Sequence, residues 1–345
     1  VYKVGSLPNL SGFANGTDIE FATDVFQKII LPDVRRSGVA TVFQKAGTIK
    51  GIGMNQEPYY HPAVGLILDE HDNVVLAPDV TSEEVVSQVS GGIDFDPLAL
   101  PSWQVFQQQE DVLRAAGVQV IKTQLTSMQC ARFNLSTAVG EIQEAIMSAL
   151  AVTHLSKAAL MAPLVCVSLD NPNSDVNEGL RNDLKVMFGL DWDGDRITDY
   201  GLLDALNLVV ALHCCEMYEM LAVMKLGVGL VHGDFAKYRP EDLLRGNNQI
   251  LAKYLIEHGL IGVGVIPQAE DGIERVANDI GITIPERERY PALINTLSEK
   301  PGDVLKVVTD RYFRVVDFIV QTTGLPQEQI VSQCVPSYQC GFGGT

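Results

Sequence analysis

The stretch that decides the fold is Leu202–Leu226, LLDALNLVVALHCCEMYEMLAVMKL. It is apolar almost all round a helical projection, so it reads as one buried helix running through the middle of a domain. Asp204, Glu216, Glu219 and Lys225 interrupt it, and its charge-free runs fall far short of the roughly 20 residues needed to cross a bilayer. A membrane-spanning role is therefore not expected of it.

Immediately upstream lies Asp191-Trp-Asp193-Gly-Asp195-Arg-Ile-Thr-Asp199, with carboxylates at positions 1, 3, 5 and 9 of the segment. Clustered carboxylate oxygens hold hard cations, and calcium is the candidate ion. The segment resembles the start of an EF-hand or dockerin-type loop, and more closely the short Asp-rich calcium repeats of thrombospondin type. That resemblance implies metal ligation by Asp191, Asp193, Asp195 and Asp199. It departs from the pattern at Arg196, which stands where a glycine usually turns the chain, and at Leu202, where an EF-hand places its bidentate glutamate. The same residues also read as a helix-capping loop in which Asp199 caps the apolar helix and its charge favours the helix N-terminus.

Further out, the sequence alternates helical and strand-like segments. Ala63–Leu68 and Val74–Ala77 flank the polar turn Asp69-Glu-His-Asp-Asn73, which predicts a β-hairpin. Thr81-Ser-Glu-Glu84 opens a short capped helix. Residues 136–161 have the periodicity of a long amphipathic helix through Ile142, Ile146, Ala149, Leu155 and Ala159. Strands are expected at 118–125, 164–169 and 260–266, and helices at 18–30 with a stop at Pro32, 103–116, 176–188, 240–258, 270–279 and 326–333. Residues 304–320 fit either type. Residues 1–17 mix Gly, Pro, Asn and Ser with isolated apolar residues and read as an extended arm. The fold class is mixed α+β and helix-rich. Two parts are expected, 1–135 with the arm, hairpin and a small α/β part, and 136–345 with the remaining helices around 202–226.

Composition narrows the functions. Lys+Arg 25 against Asp+Glu 43 leaves a net charge of −18, which disfavours nucleic acid and anionic membrane as partners. Six scattered cysteines do not make a disulfide scaffold and fit a reducing compartment, although Cys334 and Cys340 are spaced to close a small loop or to pair between chains. No charged-then-apolar leader opens the sequence. The expected location is a virion or the cytoplasm.

Other constellations are weaker. His213, Glu216 and Glu219 follow helical spacing, and Glu141 and Glu144 on the long helix are two further carboxylates, but the Glu-x-x-His order of helical di-metal sites is missing. Gly262-Val-Gly264 is a fragment of a dinucleotide fingerprint. His232-Gly-Asp234 reads as a polar turn. No Gly-x-Ser-x-Gly elbow accompanies Cys130 or Cys166.

Two functions follow. The order of arm, hairpin, long helix and mixed α/β remainder resembles the layout of major capsid proteins of the tailed-phage type. That resemblance implies a structural subunit of a symmetric shell, partnered by identical copies and without catalytic residues. The alternative is an α/β enzyme with a hard cation at Asp191, Asp193, Asp195 and Asp199.

Overall fold

A computed structural model of the chain describes residues 18–42, 65–71, 73–90, 101–128, 137–170, 178–194, 196–213, 219–267, 270–282 and 297–339. The stretch 202–226 is not one helix. A four-residue helix at Leu202–Ala205 is followed by a strand at Leu208–His213 and a short helix at Met220–Met224. The reason lies in Leu208-Val-Val-Ala-Leu212. A strand of a parallel sheet is covered on both faces and reads as a continuous apolar run, which periodicity alone does not separate from a buried helix. Helix-rich mixed α/β structure is observed, as expected, and the expected arm at 1–17 lies outside the described residues.

By contacts the chain divides between Val210 and Ala211 into two compact units. The first opens with helix α1 (Asp18–Val25). A π-helical turn over Phe26–Ile30 then leads into α2 (Leu31–Ser37). The expected stop at Pro32 is absent: the backbone is helical through Ile30 and Leu31, and proline falls in the first turn of α2, directly after the π-helical turn. Strand β1 (Val39–Thr41) follows. The predicted hairpin is present as β2 (Leu66–Leu68) and β3 (Val74–Leu76), paired antiparallel. Its turn is closed by Asp69, whose Oδ1 accepts the His71 and Asn73 amides at 2.8 and 2.9 Å. The Asn73 side chain and amide, ahead of other causes, hold the Asp69 carboxyl below its ordinary range. Helix α3 (Ser82–Ser90) carries the predicted capping box. Glu84 Oε2 accepts from the Thr81 amide at 2.8 Å, and Thr81 Oγ1 accepts from the Glu84 amide at 3.3 Å.

Residues 103–116 form two helices, α4 (Pro101–Gln108) and α5 (Glu110–Ala115), before β4 (Val120–Thr126). The long helix is α6 (Thr137–Met161), of 25 residues, and β5 (Leu164–Asp170) follows. β1, β4 and β5 are parallel neighbours, with Ile121 beside Val165, Thr123 beside Val167 and Leu125 beside Leu169. The core of this unit includes Ile146 and Leu155 of α6 with Phe26 and Phe106, all buried. The two phenylalanine rings meet edge to face at 6.0 Å. Truncating Ile146 or Leu155 to alanine would cost about 2–5 kcal/mol through lost burial and the cavity left behind. His154 of α6 sits in the same core. Its Nε2 is 3.0 Å from Thr123 Oγ1 and its ring stands perpendicular to Trp103 at 4.8 Å. Burial pushes its pKa down to about 4, so it is neutral in the fold. Helix α7 (Glu178–Phe188), the small hairpin β6 (Asp191–Asp193) and β7 (Arg196–Asp199), and α8 (Leu202–Ala205) complete this part of the chain.

β8 (Leu208–His213) carries the division, and its last residues belong to the second unit. There the chain runs through α9 (Met220–Met224), β9 (Leu230–Gly233), α10 (Pro240–Leu243), α11 (Asn248–Ile256) and β10 (Leu260–Ile266). The helix expected over 240–258 is thus two, with Asn247 capping the second by accepting the Gln249 amide at 2.9 Å. α12 (Glu270–Ile280), α13 (Pro301–Thr323), α14 (Gln327–Gln333) and β11 (Cys334–Tyr338) follow. The ambiguous segment 304–320 is helical. β8, β9, β10 and β11 are parallel neighbours in that order. Ile273, Val276 and Ala277 of α12 bury with Leu297, and Val304 and Val307 of α13 pack on them. Gln333 fastens α14 from below: its Nε2 donates to the carbonyls of Leu255 and Gly259 at 2.7 and 2.9 Å. Among the described residues no helix is long and apolar enough to cross a membrane.

Candidate active site at the carboxyl ends of four parallel strands

In an open parallel sheet the loops leaving the carboxyl ends of the strands are the usual place for ligands. In the second unit those ends bring together His213 (last residue of β8), His232 and Asp234 (end of β9), and Tyr338 and Gln339 (end of β11). His213, His232 and Asp234 are 0%, 0% and 3% exposed.

The register explains the arrangement. His213 stands beside His232, and His232 beside Gly262, so the three share one face of the sheet. The His232 ring lies across β10 in the trough left by two glycines. A Cβ at Gly262 would stand 2.9 Å from its Cδ2, and one at Gly264 would stand 2.9 Å from its Nε2. Real Cβ atoms do not make such contacts, so any other residue would displace the ring. The trough lets one imidazole bridge from β8 to β11. His232 Nδ1 is 2.9 Å from His213 Nδ1, and His232 Nε2 is 2.9 Å from the Tyr338 carbonyl. Gly262-Val-Gly264 is therefore an imidazole trough inside a strand, and not part of a phosphate-binding turn.

The hydrogen-bond network assigns the protons. A carbonyl only accepts, so His232 Nε2 donates to Tyr338 O. In the neutral ring His232 Nδ1 is then the acceptor, and His213 Nδ1 must donate to it. The lone pair of neutral His213 falls on Nε2. A proton taken at His213 Nε2 can be passed from its Nδ1 to His232 Nδ1. The resulting His232 cation is still held through Nε2–H by Tyr338 O. This is the geometry of a proton relay.

Asp234 directly follows β9 and is held on both of its oxygens. Its Oδ1 accepts the Lys237 amide at 2.9 Å and its Oδ2 accepts from Gln339 Nε2 at 3.2 Å. The Gln339 carboxamide in turn lies against Gly272 in the first turn of α12, where a side chain would collide with it. The Gln339 amide donates to Ile266 O at 2.8 Å, so the ends of β9, β10 and β11 are tied together.

The sequence-derived candidates fall elsewhere. Asp191 and Asp199 face each other across the antiparallel β6–β7 pair, and Asp195 lies outside the described residues. The segment is thus a hairpin, not a loop capping a long helix. Asp199 Oδ1 accepts the Gly201 amide at 2.9 Å, and the helix that follows is only α8. Lys185 Nζ is 3.1 Å from Asp191 Oδ1; this bond and then the Trp192 amide hold the Asp191 carboxyl below its ordinary range. Asp193 is exposed. Among the described residues no group of three or more His, Cys, Asp or Glu side chains is gathered to hold a metal.

His213 and Glu219 do not share a helical face, because His213 ends a strand and Glu219 precedes α9; Glu216 lies outside the described residues. Glu144 is exposed and accepts from Asn182 Nδ2 at 3.3 Å. Nothing is described of the Glu141 side chain. Cys334 is a buried free thiol, while Cys130 and Cys340 lie outside the described residues. Sequence reasoning read His232-Gly-Asp234 as a polar turn and did not single out Gln339. The signal for His232 and Asp234 was an apolar run, Leu230-Val231, ending directly on His-Gly-Asp, followed by a strand with two glycines.

No protein-family model matches the chain, and no curated protein is similar to it in sequence.

Proposed function

We propose that the second unit carries an acid–base active site for a small polar substrate, with His213 Nε2 as the base and His232 as the relay that spreads the proton's charge. One observation carries this reading: two buried imidazoles 2.9 Å apart, with their tautomers fixed by the Tyr338 carbonyl, at the carboxyl ends of parallel strands. A core that needed only to be filled would use apolar side chains here, since buried polar groups are stable only when every hydrogen bond is made.

The test is a thermal-shift screen of the intact chain and of His213→Asn against small carboxylates, amino acids, sugars and phosphate esters. A compound that stabilises the wild type and not the variant supports the site. No stabilising compound, or equal shifts in both proteins, removes it.

A second reading is the shell subunit. It draws on the β2–β3 hairpin and, later in the chain, the 25-residue α6. Light scattering separates the two. A particle of many copies favours the shell, and a monomer or dimer under all assembly conditions removes it.

A further inference from the structure

Helix α13 has a face that its own unit does not cover. Val315, Val316 and Ile319 are buried, and Val304 and Val307 pack on the cluster around Val276. On the opposite side Lys306, Asp310, Phe313 and Asp317 follow one another at spacings of four, three and four residues, which sets them in one stripe along the helix. All four are exposed, as is Arg314 beside them. Phe313 is 43% exposed, and Leu305 at the margin of the stripe is 66% exposed. The Phe313 ring stands edge to face against Tyr312 at 5.3 Å, and Tyr312 Oη donates to the Cys334 carbonyl at 2.9 Å, so the exposed ring rests on a fixed neighbour.

The charges of this face are unpaired. Asp310 lies one helical turn from both Lys306 and Arg314, yet among the described residues none of Lys306, Asp310, Arg314 and Asp317 has an ion-pair or hydrogen-bond partner. Arg311, on the inward side of the same helix, is the contrast, with Asp279 at 2.7 Å. From Lys306 to Asp317 the signs run plus, minus, plus, minus. A parallel copy of the helix would set each charge against its like. An antiparallel copy, about a two-fold axis between Asp310 and Phe313, sets Lys306 against Asp317 and Asp310 against Arg314, each twice, with the two Phe313 rings near the axis. The four charges also cancel, in a chain whose net charge is −18, so two acidic copies can approach here without repulsion. A strongly basic or acidic partner would find no net charge to answer.

We propose that this face of α13 is a self-association surface, on which a second copy of the chain docks antiparallel through Lys306, Asp310, Phe313, Arg314 and Asp317.

Exposed ion pairs are weak singly, so the association is reversible and salt-sensitive. The test is sedimentation velocity of the intact chain, up to about millimolar concentration, in low and in high salt. A dimer that salt weakens is the expected result. Lys306→Asp and Asp317→Lys should each weaken it by about tenfold or more, since each turns two attractive pairs into two repulsive ones. An equimolar mixture of the two variants should regain the dimer, because opposite charges then face each other at both contacts. A monomer at every concentration, association that neither variant changes, or a mixture no stronger than its components overturns the proposal. Where the chain forms a larger particle, the same loss and recovery decide.

Discussion

The His232 imidazole occupies the space that a side chain at Gly264 would fill: a Cβ there would stand 2.9 Å from His232 Nε2 and 2.6 Å from the Gly233 carbonyl oxygen. The oxygen belongs to the backbone of the next strand and has no rotamer by which to withdraw. Gly264→Ala should therefore cost about 1–3 kcal/mol, as overpacking does. Gly140 in α6 is the contrast, because a Cβ there meets nothing within 4 Å. Gly140→Ala should stabilise by about 0.5–1 kcal/mol through helix propensity. Urea unfolding of both variants checks the pair. A neutral Gly264→Ala would show that the trough is not needed.

The assigned tautomers are directly observable. Long-range proton–nitrogen NMR should find His232 protonated at Nε2 and His213 at Nδ1 in the neutral pair. In His213→Ala the His232 ring should keep its Nε2 proton, because the Tyr338 carbonyl still accepts from it. Finding His232 as the Nδ1–H tautomer in the wild type would contradict the bond to the Tyr338 carbonyl.

His154 gives the first unit a pH dependence of known sign. Its folded pKa is depressed by burial, from 6.5 to about 4. Below about pH 6.5 the unfolded chain binds a proton that the folded chain refuses, so stability is present at neutral pH and falls as the pH drops toward 4. The loss is at most about 3 kcal/mol from this group. Urea unfolding at pH 7 and pH 4.5 should show it, and His154→Leu should flatten that part of the curve. The same slope in the variant would assign the dependence to other groups.

The acidic hairpin should be indifferent to calcium. Asp191 is already paired with Lys185, and Asp193 is exposed. Millimolar calcium should leave the melting temperature of the wild type and of Asp193→Ala unchanged. A rise in the wild type that is absent in the variant would restore the cation site at Asp191, Asp193, Asp195 and Asp199.

Local rules made part of this structure legible in the sequence. Thr81 with Glu84, Asp69 with Asn73, and the stripe through Ile142, Ile146 and Leu155 act within a few residues of one another, so spacing alone revealed the cap, the turn and the long helix. Leu208–His213 was not legible as a strand, since its apolar run is fixed by neighbours on both faces. The site was hidden for the same reason. His213, His232 and Gln339 lie far apart in the chain, and only the parallel register sets them side by side. The aspartates of 191–199 drew attention because they are close in sequence, and proximity in sequence says little about convergence in space.

The bond from His232 to Tyr338 spans 106 residues, and that from Gln339 to Asp234 spans 105. Closing so long a loop costs entropy before any contact repays it, and such non-local pairings slow folding. The His213–His232–Tyr338 chain of hydrogen bonds is thus completed only once β11 has been made. Until β11 is made, His232 Nε2–H lacks the Tyr338 carbonyl that it meets in the fold. In time, as well as in space, the pairing of the two imidazoles waits for β11.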